Sequence, residues 1–124
     1  MAYIQTVKVV TGDTLPELTV ALKDSNTAAS GKTLDENDNT TWAPIDLTGA
    51  SVKLRIRAVG ETTVLKTLTM SVTDATGGKA ATTYPSDTWT TPGVFEGEVE
   101  ITFGGGGIQT LYDLVKFNVR GDFD

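Results

Sequence analysis

Glu96, Glu98 and Glu100 occupy alternate positions of an extended run, so all three carboxylates project from one face of a strand with neighbours about 7 Å apart. Paired carboxylates are the equipment of glycoside hydrolysis, and that chemistry is the first to weigh. Its two acids normally face each other across a cleft from different elements, whereas three in a row on a polar face serve solvent or opposite charges on a neighbouring strand. Lys53, Arg55 and Arg57 form a basic row of the same period and supply that complement. The two rows therefore read first as a solvated face or ladder within one sheet, and second as a contact between subunits.

Other chemistry is thinly represented. Asp35, Asn37 and Asn39, with Asp46 at the twelfth place, have the alternating oxygens of a calcium loop, but Thr40 stands where glycine makes the sharp turn and Pro44 stiffens the segment. Gly104–Gly107 lacks the Lys-Ser/Thr pair of a phosphate cradle and precedes a strand-like run, so a hairpin is expected there. The chain has no histidine and no cysteine, which removes the commonest general base, thiolate nucleophiles, disulfides and zinc-thiolate sites. No catalytic residue, cofactor or metal is expected. Trp42 and Trp89 both lie in connections. Trp89 is expected to plug the domain interior, while Trp42 reads equally as a plug or an anchor for a partner. The candidate subunit contacts are accordingly Trp42, Lys53, Arg55, Arg57, Glu96, Glu98 and Glu100.

The elements that must hold these residues are extended. Tyr3–Val10 reads as a first strand closed by a turn at Thr11-Gly12-Asp13, and Leu18, Val20 and Leu22 alternate with Thr19, Ala21 and Lys23 in a second. Val52, Leu54 and Ile56 alternate with the basic row. Thr62–Val72 and Lys79–Tyr84 flank a turn at Asp74–Gly78. Phe95, Gly97, Val99, Ile101 and Phe103 alternate with the glutamates, and Val115, Phe117 and Val119 complete the series after a short strand at Ile108–Tyr112. Between strands, residues 24–44 carry Ser, Asn, Thr and Asp with almost no aliphatic side chains, and read as a long polar loop, the expected seat of anything specific to this chain.

Seven to eight short strands, one polar face to each, and no convincing helix predict an all-β fold: an antiparallel two-sheet immunoglobulin-like β-sandwich, with a small barrel as the alternative. The 124 residues suit a single domain spanning 1–124. A formal charge of −6 is the wrong sign for gathering phosphates, so nucleic acid is not an expected partner. The first residues show no basic segment followed by an apolar run, and no stretch approaches the length of a membrane span, so neither Sec-type export nor membrane insertion is expected.

Several segments, taken in order, resemble the N-terminal domain of phage baseplate upper proteins, a family of immunoglobulin-like tail and baseplate modules. The likeness is carried by Gly12-Asp13-Thr14-Leu15-Pro16, by the block Ile45-Asp46-Leu47-Thr48-Gly49-Ala50-Ser51-Val52-Lys53-Leu54-Arg55-Ile56-Arg57, by Asp74-Ala75-Thr76-Gly77-Gly78-Lys79, by Asp87-Thr88 followed by Pro92-Gly93-Val94-Phe95, and by Gly107-Ile108-Gln109-Thr110-Leu111. Residues 25–44 depart from it, since the family pattern has a shorter connection there. The resemblance implies a bacteriophage virion structural or assembly protein, a tail or baseplate subunit or adaptor without a reaction of its own. Such a protein is made in the host cytoplasm, acts in the virion, and contacts other virion proteins as a homo-oligomer or within a symmetric assembly. A capsid decoration protein, or a carbohydrate-binding or host-adhesion module with a host glycan as partner, are the alternatives.

Overall fold

A computed structural model describes residues 3–111 and 114–123. Along the chain it places β1 (Tyr3–Val10), β2 (Leu18–Ala21), β3 (Lys23–Ala28), a 3-10 turn (Asn39–Thr41), β4 (Trp42–Pro44), β5 (Ser51–Ala58), β6 (Lys66–Asp74), β7 (Lys79–Thr82), β8 (Gly93–Thr102), β9 (Ile108–Thr110) and β10 (Leu114–Arg120). The all-β expectation holds.

Hydrogen bonds join the strands in one path, β1-β10-β8-β5-β6-β7-β2, with β9 on the flank of β8 and β3-β4 as a separate pair. The sheet curls until it is nearly closed, like a barrel, so the bonding does not divide it into the two sheets anticipated for a sandwich. The join lies within β6, where Lys66–Met70 pair with β5 and Ser71–Asp74 pair with β7, with an irregularity between Val72 and Asp74. A strand that changes partner part-way along turns a corner between layers.

The sheet is mostly antiparallel, with one departure: β1 runs parallel to β10, Val7 opposite Phe117 and Val9 opposite Val119. Side-chain alternation dictates which face of a strand is buried, not which strand lies beside it or in what direction. That is why the parallel pair was not anticipated.

A second departure is at residues 24–44. Rather than an unstructured loop, the segment opens with β3 and closes with β4, which pair Lys23 with Pro44 and Asp24 with Ala43. The second strand accordingly breaks at Leu22, whose backbone is bonded to Gly78 and Ile45. The polar run is organised by short side chains that bond nearby backbone. Asp24 accepts from Asn26 N–H, Asp35 from Asn37 N–H, and Asp38 from both the N–H and the hydroxyl of Thr40.

Inside the curl, Val52, Leu54 and Ile56 of β5 are wholly buried against Val99 and Ile101 of β8 and Val115 and Phe117 of β10. Each such side chain taken from water contributes about 1.5–3 kcal/mol. Trp89 is 1% exposed and packs on Phe117, Tyr84 and Phe95 with ring centroids 4.9, 5.3 and 5.7 Å away. It is the expected plug. Its carbonyl accepts from Gly12 N–H, and Tyr84 N–H donates to Thr14, so the 83–92 connection is stitched to the β1–β2 connection.

Gly97 lies on this inner face for want of room. A Cβ there would stand 2.7 Å from Leu54 Cδ1 and 3.0 Å from Phe117 Cε2. In the glycine run 104–107, Gly106 takes a positive φ of 96° and donates to Phe103 in a tight reversal. The other three glycines there do not use the left-handed region, so the reversal needs fewer special residues than the composition implied.

Candidate interaction surfaces

The acidic and basic rows come together as neighbours in one sheet. β5 and β8 pair antiparallel with Lys53 opposite Glu100, Arg55 opposite Glu98 and Arg57 opposite Glu96. All six side chains leave the face opposite to the core, because their inward neighbours Val52, Leu54, Ile56, Val99 and Ile101 are buried. Charge pairing follows the register only in part. Arg57 Nε meets Glu96 Oε1 directly across at 2.9 Å, while Arg55 Nη1 passes over its opposite number and meets Glu100 Oε2 at 2.7 Å.

These pairs are well made but wet. Glu100 is held below the usual carboxylate range chiefly by its hydrogen bond from Arg55, and the Arg55 guanidinium is raised by the same bond. Glu96 is buried, with the half-exposed Arg57 side chain bonded to it. Lys53 and Glu98 are exposed and take no part in an ion pair among the described residues. An opposed pair of acids across a cleft is not formed: the three glutamates share one strand and two of them are neutralised by arginines.

The acidic and amide residues of the 35–46 stretch serve separate turns. The Asp35 carboxylate accepts from Asn37 N–H, and Asp46 accepts from the N–H and hydroxyl of Thr48, which lowers its pKa. Among the described residues no group of three His, Cys, Asp or Glu is arranged to hold a metal ion.

Trp42 stands at the start of β4, half-buried, its indole N–H donating to the Asp35 carbonyl at 2.9 Å. It lines an open groove of about 460 Å³ between β3, the 36–42 turn and β9. Asn26, Glu36, Asn37, Asn39 and Gln109 also line it. Asn37 and Asn39 stand in the sequence as part of the calcium-loop pattern, not of a groove; Asn26 and Glu36, as isolated polar residues, give no pattern, and Gln109 is brought to the groove from far along the chain by the pairing of β9 with β8.

At the other side of the molecule, the outer face of β1, β10 and β8 carries a shallow depression of about 550 Å³ lined by Lys8, Val10, Val94, Asn118 and Arg120, among others. Val94 is exposed, and its carbonyl accepts from the N–H of Val59, which is also exposed. Val64 and Leu65 of the β5–β6 connection add further exposed apolar surface.

The chain is thus an all-β module whose outer faces carry a charge ladder, an apolar rim and a polar groove. No protein-family model matches it, and no curated protein matches it at a significant level.

Proposed function

We propose that the protein is a structural subunit or adaptor of a bacteriophage virion, in the tail or baseplate, acting through protein–protein contacts. The observation that carries the contact mechanism is the incomplete closure of the sheet. β1 and β2 stand at its two ends, each bonded along one flank only among the described residues. An eight-residue strand with a free flank is a template for another chain's backbone. Exposed Val59 and Val94 extend an apolar surface from the adjoining face, the composition expected where a partner is to be desolvated.

The virion assignment rests on the resemblance of the segments quoted above. In this chain Gly12–Pro16 lies in the β1–β2 connection, Ile45–Arg57 runs into β5, Asp74–Lys79 makes the β6–β7 turn, and Ile108–Leu111 includes β9. In the same reading the curled sheet is an immunoglobulin-like sandwich with β6 as the strand shared between its layers. Of the candidate contacts, Lys53, Glu98 and Trp42 are the side chains most available to a partner, since Arg55, Arg57, Glu96 and Glu100 already have one another.

Sedimentation over a wide concentration range, with gold labelling of the protein on purified phage particles, tests this. A symmetric oligomer or labelled particles at one fixed location is the expected result. A monomer at every concentration that is missing from particles overturns it.

A further inference from the structure

We propose that the groove beside Trp42 is a binding site for a neutral saccharide, a property that does not depend on the virion assignment. Three observations converge there. The first is the chemistry of the lining: Asn26, Asn37, Asn39 and Gln109 put four carboxamides around one cavity of about 460 Å³, with the Glu36 carboxylate beside them. Among the described residues the four amide side chains make no hydrogen bond of their own. A carboxamide donates and accepts from one planar group, which is what a sugar hydroxyl, itself donor and acceptor, requires.

The second is Trp42. Its one polar atom is committed to the Asp35 carbonyl, so what the residue offers to the groove is ring surface. The C–H face of a pyranose packs on such a surface while its hydroxyls point to the sides, where the amides are.

The third is preorganisation. The wall of the groove is a braced turn: Thr41 Oγ1 accepts from Asp35 N–H and donates towards the Asp38 carbonyl at 2.7 Å, Lys32 Nζ reaches the Thr40 carbonyl at 2.9 Å, and Ala29 N–H bonds Thr41. Asp38 caps the 3-10 turn through Thr40. A wall already ordered spares the ligand the entropy of ordering it, which matters for a small polar ligand whose contacts each contribute little.

Other ligand classes fit less well. A phosphate or nucleotide needs converging cations, and Lys23, the cation of the groove, points its ammonium at the Asn39 carbonyl while Glu36 opposes it. An apolar ligand would strand the amides without partners.

The test is an amide-resonance titration of the intact protein with oligomers of glucose, galactose, mannose and N-acetylglucosamine. Trp42→Ala, Asn37→Ala and Gln109→Ala run alongside, with an uncharged peptide as the competing ligand and thermal melting as the fold control. At least one saccharide is expected to bind with a Kd on the order of 1 mM or tighter, shifting resonances of residues 23–26, 36–42 and 109–111. Trp42→Ala is expected to weaken that binding at least tenfold, and Asn37→Ala or Gln109→Ala several-fold. Should Trp42→Ala fail to fold, Trp42→Phe and the variants at exposed Asn37 and half-buried Gln109 carry the decision. The proposal is overturned if none of the saccharides shifts these resonances, if the peptide alone does, or if binding survives undiminished in the folded variants.

Discussion

Arg55 faces Glu98 across the β5–β8 ladder but bonds Glu100, one diagonal step along the strand, at 2.7 Å. The diagonal leaves Glu98 outward and exposed, and makes Glu100 the acceptor that both Arg55 and the field of Lys53 favour in its ionised form. Cross-strand diagonals lie within reach of a long side chain, so register alone does not name the partner.

A double-mutant cycle separates the two possibilities. Arg55→Ala and Glu100→Ala are expected to show favourable coupling in thermal or denaturant unfolding, and Arg55→Ala with Glu98→Ala a smaller one. Equal coupling for both pairs, or a larger one for Glu98, contradicts the diagonal. Because the pair is partly exposed, the coupling is expected to shrink in concentrated salt.

The same pair sets the sign of an acid dependence. Glu100 has a lower pKa folded than unfolded, so its contribution is present in full above the ordinary carboxylate pKa and is lost as pH falls through the folded value. Unfolding midpoints measured between neutrality and strong acid should fall less steeply with pH in Glu100→Gln than in the parent protein. An unchanged slope speaks against the assignment.

Tyr84 predicts an alkaline dependence of its own. Burial pushes its phenol up to about 12 from an ordinary 10, and its hydroxyl has no hydrogen-bond partner among the described residues. Between those two values the unfolded chain loses a proton that the folded chain keeps. Stability is therefore complete below pH 10 and falls as pH rises through 12, by about 3 kcal/mol in all. Tyr84→Phe should abolish that loss and leave stability at neutral pH unchanged or raised by up to about 1 kcal/mol. Ultraviolet titration of phenolate formation, alongside melting, reads both effects, and a tyrosine spectrum with every phenol ionising near pH 10 in the folded protein is incompatible with them.

Gly97→Ala places a methyl where Leu54 and Phe117 already stand. A cost of about 1–3 kcal/mol is expected from the forced shift of those two side chains. The paired variant Gly97→Ala with Leu54→Val should recover part of it by clearing the nearer clash. Denaturant midpoints at unchanged m-value measure both, and a neutral Gly97→Ala would mean that the core yields there.

Trp89→Ala removes the centre of the aromatic cluster with Tyr84, Phe95 and Phe117. About 3–5 kcal/mol of stability should go with it. Trp42→Ala, in a half-buried groove position, is expected to cost clearly less. Equal losses for the two would place Trp42 in the core instead.

How much was legible beforehand depended on the kind of signal. The strands β5, β8 and β10 announce themselves because inward Val, Leu, Ile and Phe alternate with charged or amide residues, and period two has one physical cause. β3 and β4 did not, since no residue of Lys23–Ala28 or Trp42–Pro44 is fully buried, and their pairing is held by backbone and by Asp and Thr side chains. The groove beside Trp42 was invisible for a further reason: Asn26, Asn37 and Gln109 acquire a common purpose only when β9 folds back along β8.

Local residue pattern is enough to say that the chain is built of strands, which side of each major strand faces the core, that the acidic and basic rows share an outward character, and that Trp89 belongs inside. Those follow from transfer free energies and side-chain geometry, which act residue by residue. Three features emerge only in the folded whole: β1 lies parallel beside β10, β6 turns the corner of one continuous sheet, and Arg55 bonds Glu100 in preference to Glu98. Each of those is a choice among neighbours of similar local energy, and only the closing of the whole sheet around one packed interior distinguishes them.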